Sequence, residues 1–139
     1  MNKKESFAYF GIKQKNEVWS WSGVSEDKST VALTLWIDQC NWDKVNRNQV
    51  TSTFNKNNEL WKDLPGNKDR ILHIKYCIEH LDGIFRAIFI EPVKRGVFDE
   101  TREIKRVWPE KKYSFKILEF NEITGEYSAE SIANPSPTS

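Results

Sequence analysis

Cysteine is scarce in this chain of 139 residues, with Cys40 and Cys77 standing far apart. Neither sits at a metal-type spacing, so the expectation is two buried free thiols in a reducing compartment. His73 and His80 lie on one stretch with no Cys or carboxylate in register, which argues against a metal site there. No apolar run near the start, "MNKKESFAYFGIK", is long enough for a signal peptide or a membrane span. A cytoplasmic location without a membrane partner is expected. Charge of one sign is lacking too: 21 basic residues face 20 acidic ones, for a net charge of +1. No global field draws in a polyanion, so any nucleic-acid contact needs locally sorted charge. A Walker loop, a dinucleotide glycine pattern, a nucleophile elbow and an internal repeat are all missing. The chain calls for no cofactor and reads more readily as a binding module than as an enzyme.

What is present is a globular composition, 38% hydrophobic and 29% charged, long enough for one core. "SFAYFGI" over 6–12 reads as a first strand. Val18–Ser22 alternates, and after the polar "GVSEDKS" the run "TVALTLWID" alternates more clearly, which predicts a β-hairpin. Its odd positions Val31, Leu33, Leu35 and Ile37 should face a core, leaving Ala32, Thr34 and Trp36 on the other face. Residues 39–66 are Asn-rich and nearly aperiodic, either a loop or a loop holding a short strand at 50–54. One main helix is expected over 67–82, capped by Asn67 and stopped by Gly83, with Ile71, Ile74, Ile78 and Leu81 sharing a face beside Cys77. "GIFRAIFIEPV" follows as a strand buried on both sides and ended by Pro92. "DETREIKRV" reads as a helical turn within a charged connector. Residues 113–120 and the Thr124-Gly125 turn predict a second hairpin. The outcome is one α+β domain over 1–132, a small curved sheet or closed barrel of about five to seven strands, with a disordered tail at 133–139.

The six tryptophans form the main functional signal. Rings held partly open can stack on a planar guest such as a nucleobase. Trp19, Trp21, Trp36 and Trp42 are the pocket candidates, with Ser20, Asp38 and Arg86 as polar readers. Arg86 is the only charge between Ile84 and Ile90, so its guanidinium must be paired or reach a cavity mouth. Asp38, Asp82 and Glu91 are its possible ion-pair partners. Local basic clusters offer backbone contacts at Lys13, Lys15, Arg47, Lys94, Arg95 and Arg106.

Two other readings stand beside this one. Glu103-Ile104-Lys105, with Asp82 or Asp99, has the residue types of a metal-dependent nuclease. Alternatively Trp42, Trp61 and the Asn-rich segment form a protein-docking surface of a phage or defence-system factor.

"FGIKQKNEVWSWSG…VALTLWID" followed by "PGNKDRI…GIFRAIFIEPV" resembles a set of small bacterial proteins of unassigned function. More distantly, "IFRAIFIEPV", a gap, and "VWPEKKYSFKILEF" are similar in layout to PUA-like barrel domains of the EVE, YTH and SRA kind. That resemblance implies a small barrel with an aromatic pocket for a modified or flipped base. It makes Trp19, Trp21 and Trp36 pocket residues, with Arg86 and Ser20 as readers.

Overall fold

The computed structural model describes residues 2–13, 21–37, 49–50, 65–93, 103–123, 125 and 127–133. The chain opens not with a strand but with helix α1, Lys3–Tyr9. Aromatic residues in "SFAYFGI" favour a strand by propensity, but a capping box upstream overrides them. The Glu5 N–H donates to Asn2 Oδ1 at 2.8 Å, and the Asn2 N–H donates to Glu5 Oε1 at 3.1 Å. The helix buries Phe7 completely.

A hairpin follows, β1 (Ser22–Val24) antiparallel to β2 (Val31–Trp36); β2 is as expected, whereas β1 shares only Ser22 with the strand expected over 18–22 and takes Gly23 and Val24 from the expected turn, 18–20 lying outside the described residues. Its turn is organised by Asp27, whose Oδ1 accepts hydrogen bonds from Ser25 Oγ, Ser29 Oγ and the Ser29 N–H. These bonds, the Ser25 one foremost and then those of Ser29, hold the carboxyl down at about 2 against an ordinary 3.8. A depressed carboxyl stabilises the folded state above its unfolded value, and that contribution disappears as pH falls from 3.8 through about 2. Asp27→Asn should therefore be less stable than the parent to urea at pH 5, with the deficit shrinking below pH 4 and lost only below about pH 2.

Further along come β3 (Gln49–Val50), helix α2 (Pro65–His80) and β4 (Ile84–Pro92). After these lie β5 (Ile104–Pro109), β6 (Tyr113–Phe120) and β7 (Tyr127–Ala133). β3 falls at the start of the 50–54 segment. α2 begins two residues before Asn67, at Pro65, where a missing N–H costs nothing because the first-turn donors have no helical partner. Asn67 is thus inside the helix and not its cap. The stop is as expected but uses two left-handed residues, Asp82 at φ 56° and Gly83 at φ 74°. The Gly83 N–H then donates back to the Cys77 carbonyl at 3.0 Å.

The fold is α+β with one mixed, open sheet, ordered β1-β2-β4-β6-β7-β3, and β5 paired to β4 beside that path. β2 and β4 are parallel, as a crossover through α2 requires, and the remaining pairs are antiparallel. The connector residues 104–107 belong to β5 and not to a helical turn; Glu91 bonding Arg106 across the β4–β5 pair fixes that register. β7 takes in Ala133, the first residue of the expected tail, and 134–139 lie outside the described residues.

Both faces of β2 and β4 are buried. One face carries Val31, Leu33, Leu35, Phe85, Ala87 and Phe89, packed under Ile74 and Cys77 of α2 and against Phe115. The opposite face carries Ala32, Ile88 and Ile90 beneath Phe7 and Ile12. Ile78, expected in the first core, is 43% exposed, because the buried stripe of α2 runs through Arg70, Ile74, Cys77 and Leu81 instead. The Cys77 thiol donates to the Ile84 carbonyl at 3.1 Å, and burial pushes it up to about 12, so it is inert at neutral pH. Cys40 lies outside the described residues.

Candidate functional site

β4 holds different partners along one edge: β6 at Ile84 and Phe85, then β5 from Ile88 onward. The chain leaves that edge after Pro109, turns through 110–112 and returns as β6. The Glu110 N–H donates to the Ala87 carbonyl at 2.9 Å where the two strands diverge. Arg86 fills this fork. Its Nη2 donates to the carbonyls of Glu110 at 3.0 Å and Lys111 at 3.3 Å, and its guanidinium lies 4.9 Å from the Phe10 ring. Burial lowers its pKa, an effect opposed by Tyr9 and Glu110. The one cation of β4 is therefore a strut for a turn. Of the three carboxylates considered for it, Glu91 accepts from Arg106 Nε at 2.6 Å instead, and Arg86 bonds main-chain oxygens.

The strut presents a basic stretch, "KRVWPEKK". An open groove of about 770 Å³ is lined by Lys105 through Lys112, where Lys105, Lys111 and Lys112 face the carboxylate of Glu110 and Arg106 is ion-paired to Glu91 behind it. Glu91, largely buried, orients Arg106 so that its guanidinium stands 4.9 Å over the Trp108 ring while 65% of the side chain stays exposed. Trp108 in turn leans on Phe89, with ring centres 5.9 Å apart. At the far end of the stretch the Lys111 ammonium lies 4.9 Å from the ring of Tyr9, which is 50% exposed. Cations fixed over half-open aromatic rings are suited to phosphate and base contacts together.

The structure does not bring the described pocket candidates together. Trp21 is half-buried on the α2 side, where the Arg70 guanidinium lies 5.1 Å from its ring and 5.6 Å from that of Tyr127. Trp36 packs on the opposite face, against the cluster of Phe7 and Ile12. Arg86 shares the Trp36 face but is committed to the fork. Trp19, Ser20, Asp38, Trp42 and Trp61 lie outside the described residues, as do Lys15, Arg47, Lys94 and Arg95. Lys13 is exposed just past Ile12. Of the two described backbone-contact candidates, Lys13 and Arg106, it is Arg106 that lines the groove. Trp108, Tyr9, Lys111 and Lys112 are not among the site residues the sequence points to, although the interleaving of Lys, Arg, Trp and Tyr in "KRVWPEKKY" is a signal for them.

Two chemical alternatives can be weighed against the geometry. Asp82 precedes β4, whereas Glu103 accepts a hydrogen bond from the Val93 N–H just beyond its other end. Nine extended residues separate them by about 30 Å, so these two cannot share a metal ion. Asp99 lies outside the described residues. Among the described residues, no group of three or more His, Cys, Asp or Glu is placed to hold a metal. Ser22, His73 and Asp69 do form a string: Ser22 Oγ and His73 Nδ1 share a 2.6 Å hydrogen bond, and His73 Nε2 lies 3.8 Å from Asp69 Oδ1. Ser22 is only 1% exposed, which denies a substrate access to its hydroxyl. The string tethers α2 to β1. Among the described residues, no helix is long and apolar enough to cross a membrane. Set against known proteins, the chain matches no family model, no curated protein and no solved structure.

Proposed function

We propose that this protein is a non-catalytic nucleic-acid-binding module whose contact surface is the β5 ridge and the turn after it. One observation carries the reading: Lys105, Arg106, Lys111 and Lys112 gather on the β5 ridge and the turn after it, and two of these cations stand over aromatic rings, one on each face of the sheet, on a protein whose overall charge is nearly balanced. Local sorting of charge is what such a chain needs in order to hold phosphates. This keeps aromatic recognition of a base but moves it from the Trp19–Trp21–Trp36 set to Trp108 and Tyr9.

The test is fluorescence anisotropy of labelled oligonucleotides, single-stranded and duplex, over a salt series. If three or four cations each engage a phosphate, log K should fall against log salt with a slope of about −2 to −3 for a single strand. Absence of salt-dependent binding to every oligonucleotide would refute the proposal.

A further inference from the structure

We infer that the β5 ridge selects a single strand over a duplex, an inference that rests on the nucleic-acid reading above. The two cation–aromatic pairs lie on opposite faces of the sheet. Arg106 and Trp108 sit across from Glu91 and Phe89, and Trp108 joins the core beneath α2. Tyr9 belongs to α1, whose neighbouring Phe10 packs on the other core, and Lys111 reaches Tyr9 on that side. Between the two pairs runs the outer edge of β5, which pairs only with β4 among the described residues.

A ligand that uses both pairs must bend around the edge of one strand, over a sheet thickness of about 10 Å. Duplex DNA has a persistence length of about 50 nm and cannot follow that path. A single strand can, because its backbone turns freely and its bases unstack to lie on separate rings. The lining cations are also too few and too confined for a duplex, which carries one charge per about 1.7 Å of axis. Arg106, already oriented by Glu91, and the half-open Tyr9 ring lose little freedom when a nucleotide settles on them.

The full chain is titrated with fluorescein-labelled oligothymidylate, oligouridylate and a duplex of equal length, with inorganic polyphosphate as competitor. One or both single strands should bind about tenfold or more tighter than the duplex at about 0.1 M salt. Tyr9→Leu should weaken single-strand binding about fivefold and leave duplex binding within about twofold, whereas Tyr9→Phe, which keeps the ring, should match the parent. Circular dichroism of both variants checks that α1 persists. Duplex binding equal to or tighter than single-strand binding overturns the inference and leaves the nucleic-acid reading standing. Polyphosphate competing as well as oligothymidylate at equal charge, or Tyr9→Leu binding like the parent, also overturns it. Failure of all the oligonucleotides to bind overturns both.

Discussion

Phe115→Ala is expected to lower the unfolding free energy by about 3–5 kcal/mol, the range for emptying a fully buried aromatic site. Phe115 is 1% exposed, its ring centre 5.7 Å from that of Phe85 and 6.0 Å from that of Phe89. It is also one of two β6 residues in register with β4, the other being Lys116 opposite Ile84. Truncation thus opens a cavity and loosens the join between the two halves of the sheet. Domains of this kind have about 5–15 kcal/mol in total, so the variant should sit near the edge of folding, with a Tm lower by about 10–20 °C. Urea unfolding followed by tryptophan fluorescence measures the loss. Leu118→Ala, at a site 45% exposed on the same strand, should change stability by no more than about 0.5 kcal/mol. Equal effects at the two positions would mean that the core is not organised around the Phe85–Phe115 stack.

The second large effect is on binding. Lys105→Glu with Lys112→Glu puts two carboxylates where the groove has two ammonium groups, both exposed. Each reversal removes a phosphate contact and adds a repulsion. Together they should weaken oligonucleotide binding about a hundredfold at ~0.1 M salt, equivalent to about 2.8 kcal/mol. The salt slope should become shallower by about 1.4, two contacts at ~0.7 each. Lys68→Glu, exposed on α2 away from the groove, makes the same charge change singly and should cost less than about twofold. If Lys68→Glu weakens binding as much as either groove reversal, the attraction is diffuse and the ridge is not the site.

How much of this was legible in the residues depends on how local the deciding interaction is. β2, the body of α2 and the 113–133 hairpin follow from alternation or helical spacing, and β4 from an almost unbroken apolar run, all short-range patterns. α1 was concealed by its aromatic residues, although the Asn2-x-x-Glu5 spacing of its capping box stands in the sequence. The difference matters for the site, because the β2 face that carries Ala32, Thr34 and Trp36 is the one from which Trp36 is expected to meet a ligand. Phe7 and Ile12 close it, and Gly23 shows how tightly: a Cβ there would stand 2.4 Å from the Ile12 side chain. Arg86 stands out in the sequence as a charge within an apolar run, but its partners are carbonyls 24 and 25 residues away at a fork between strands. No pattern of side chains announces where two strands part. The basic ridge is a similar case, since the pairing of Tyr9 with Lys111 depends on how α1 lies against β5.

β4 pairs with β2 along one edge and with β6 and β5 along the other, and its side chains enter both cores. For a nascent chain this imposes a wait. Val31–Trp36 leaves the ribosome about 50 residues ahead of the strand it must join, a delay of about 3–10 s at ~5–20 residues/s. Until then β1 shields one border of that apolar hairpin and the other stays uncovered, which makes translation speed over 37–83 the point where synthesis of this protein is most exposed to aggregation.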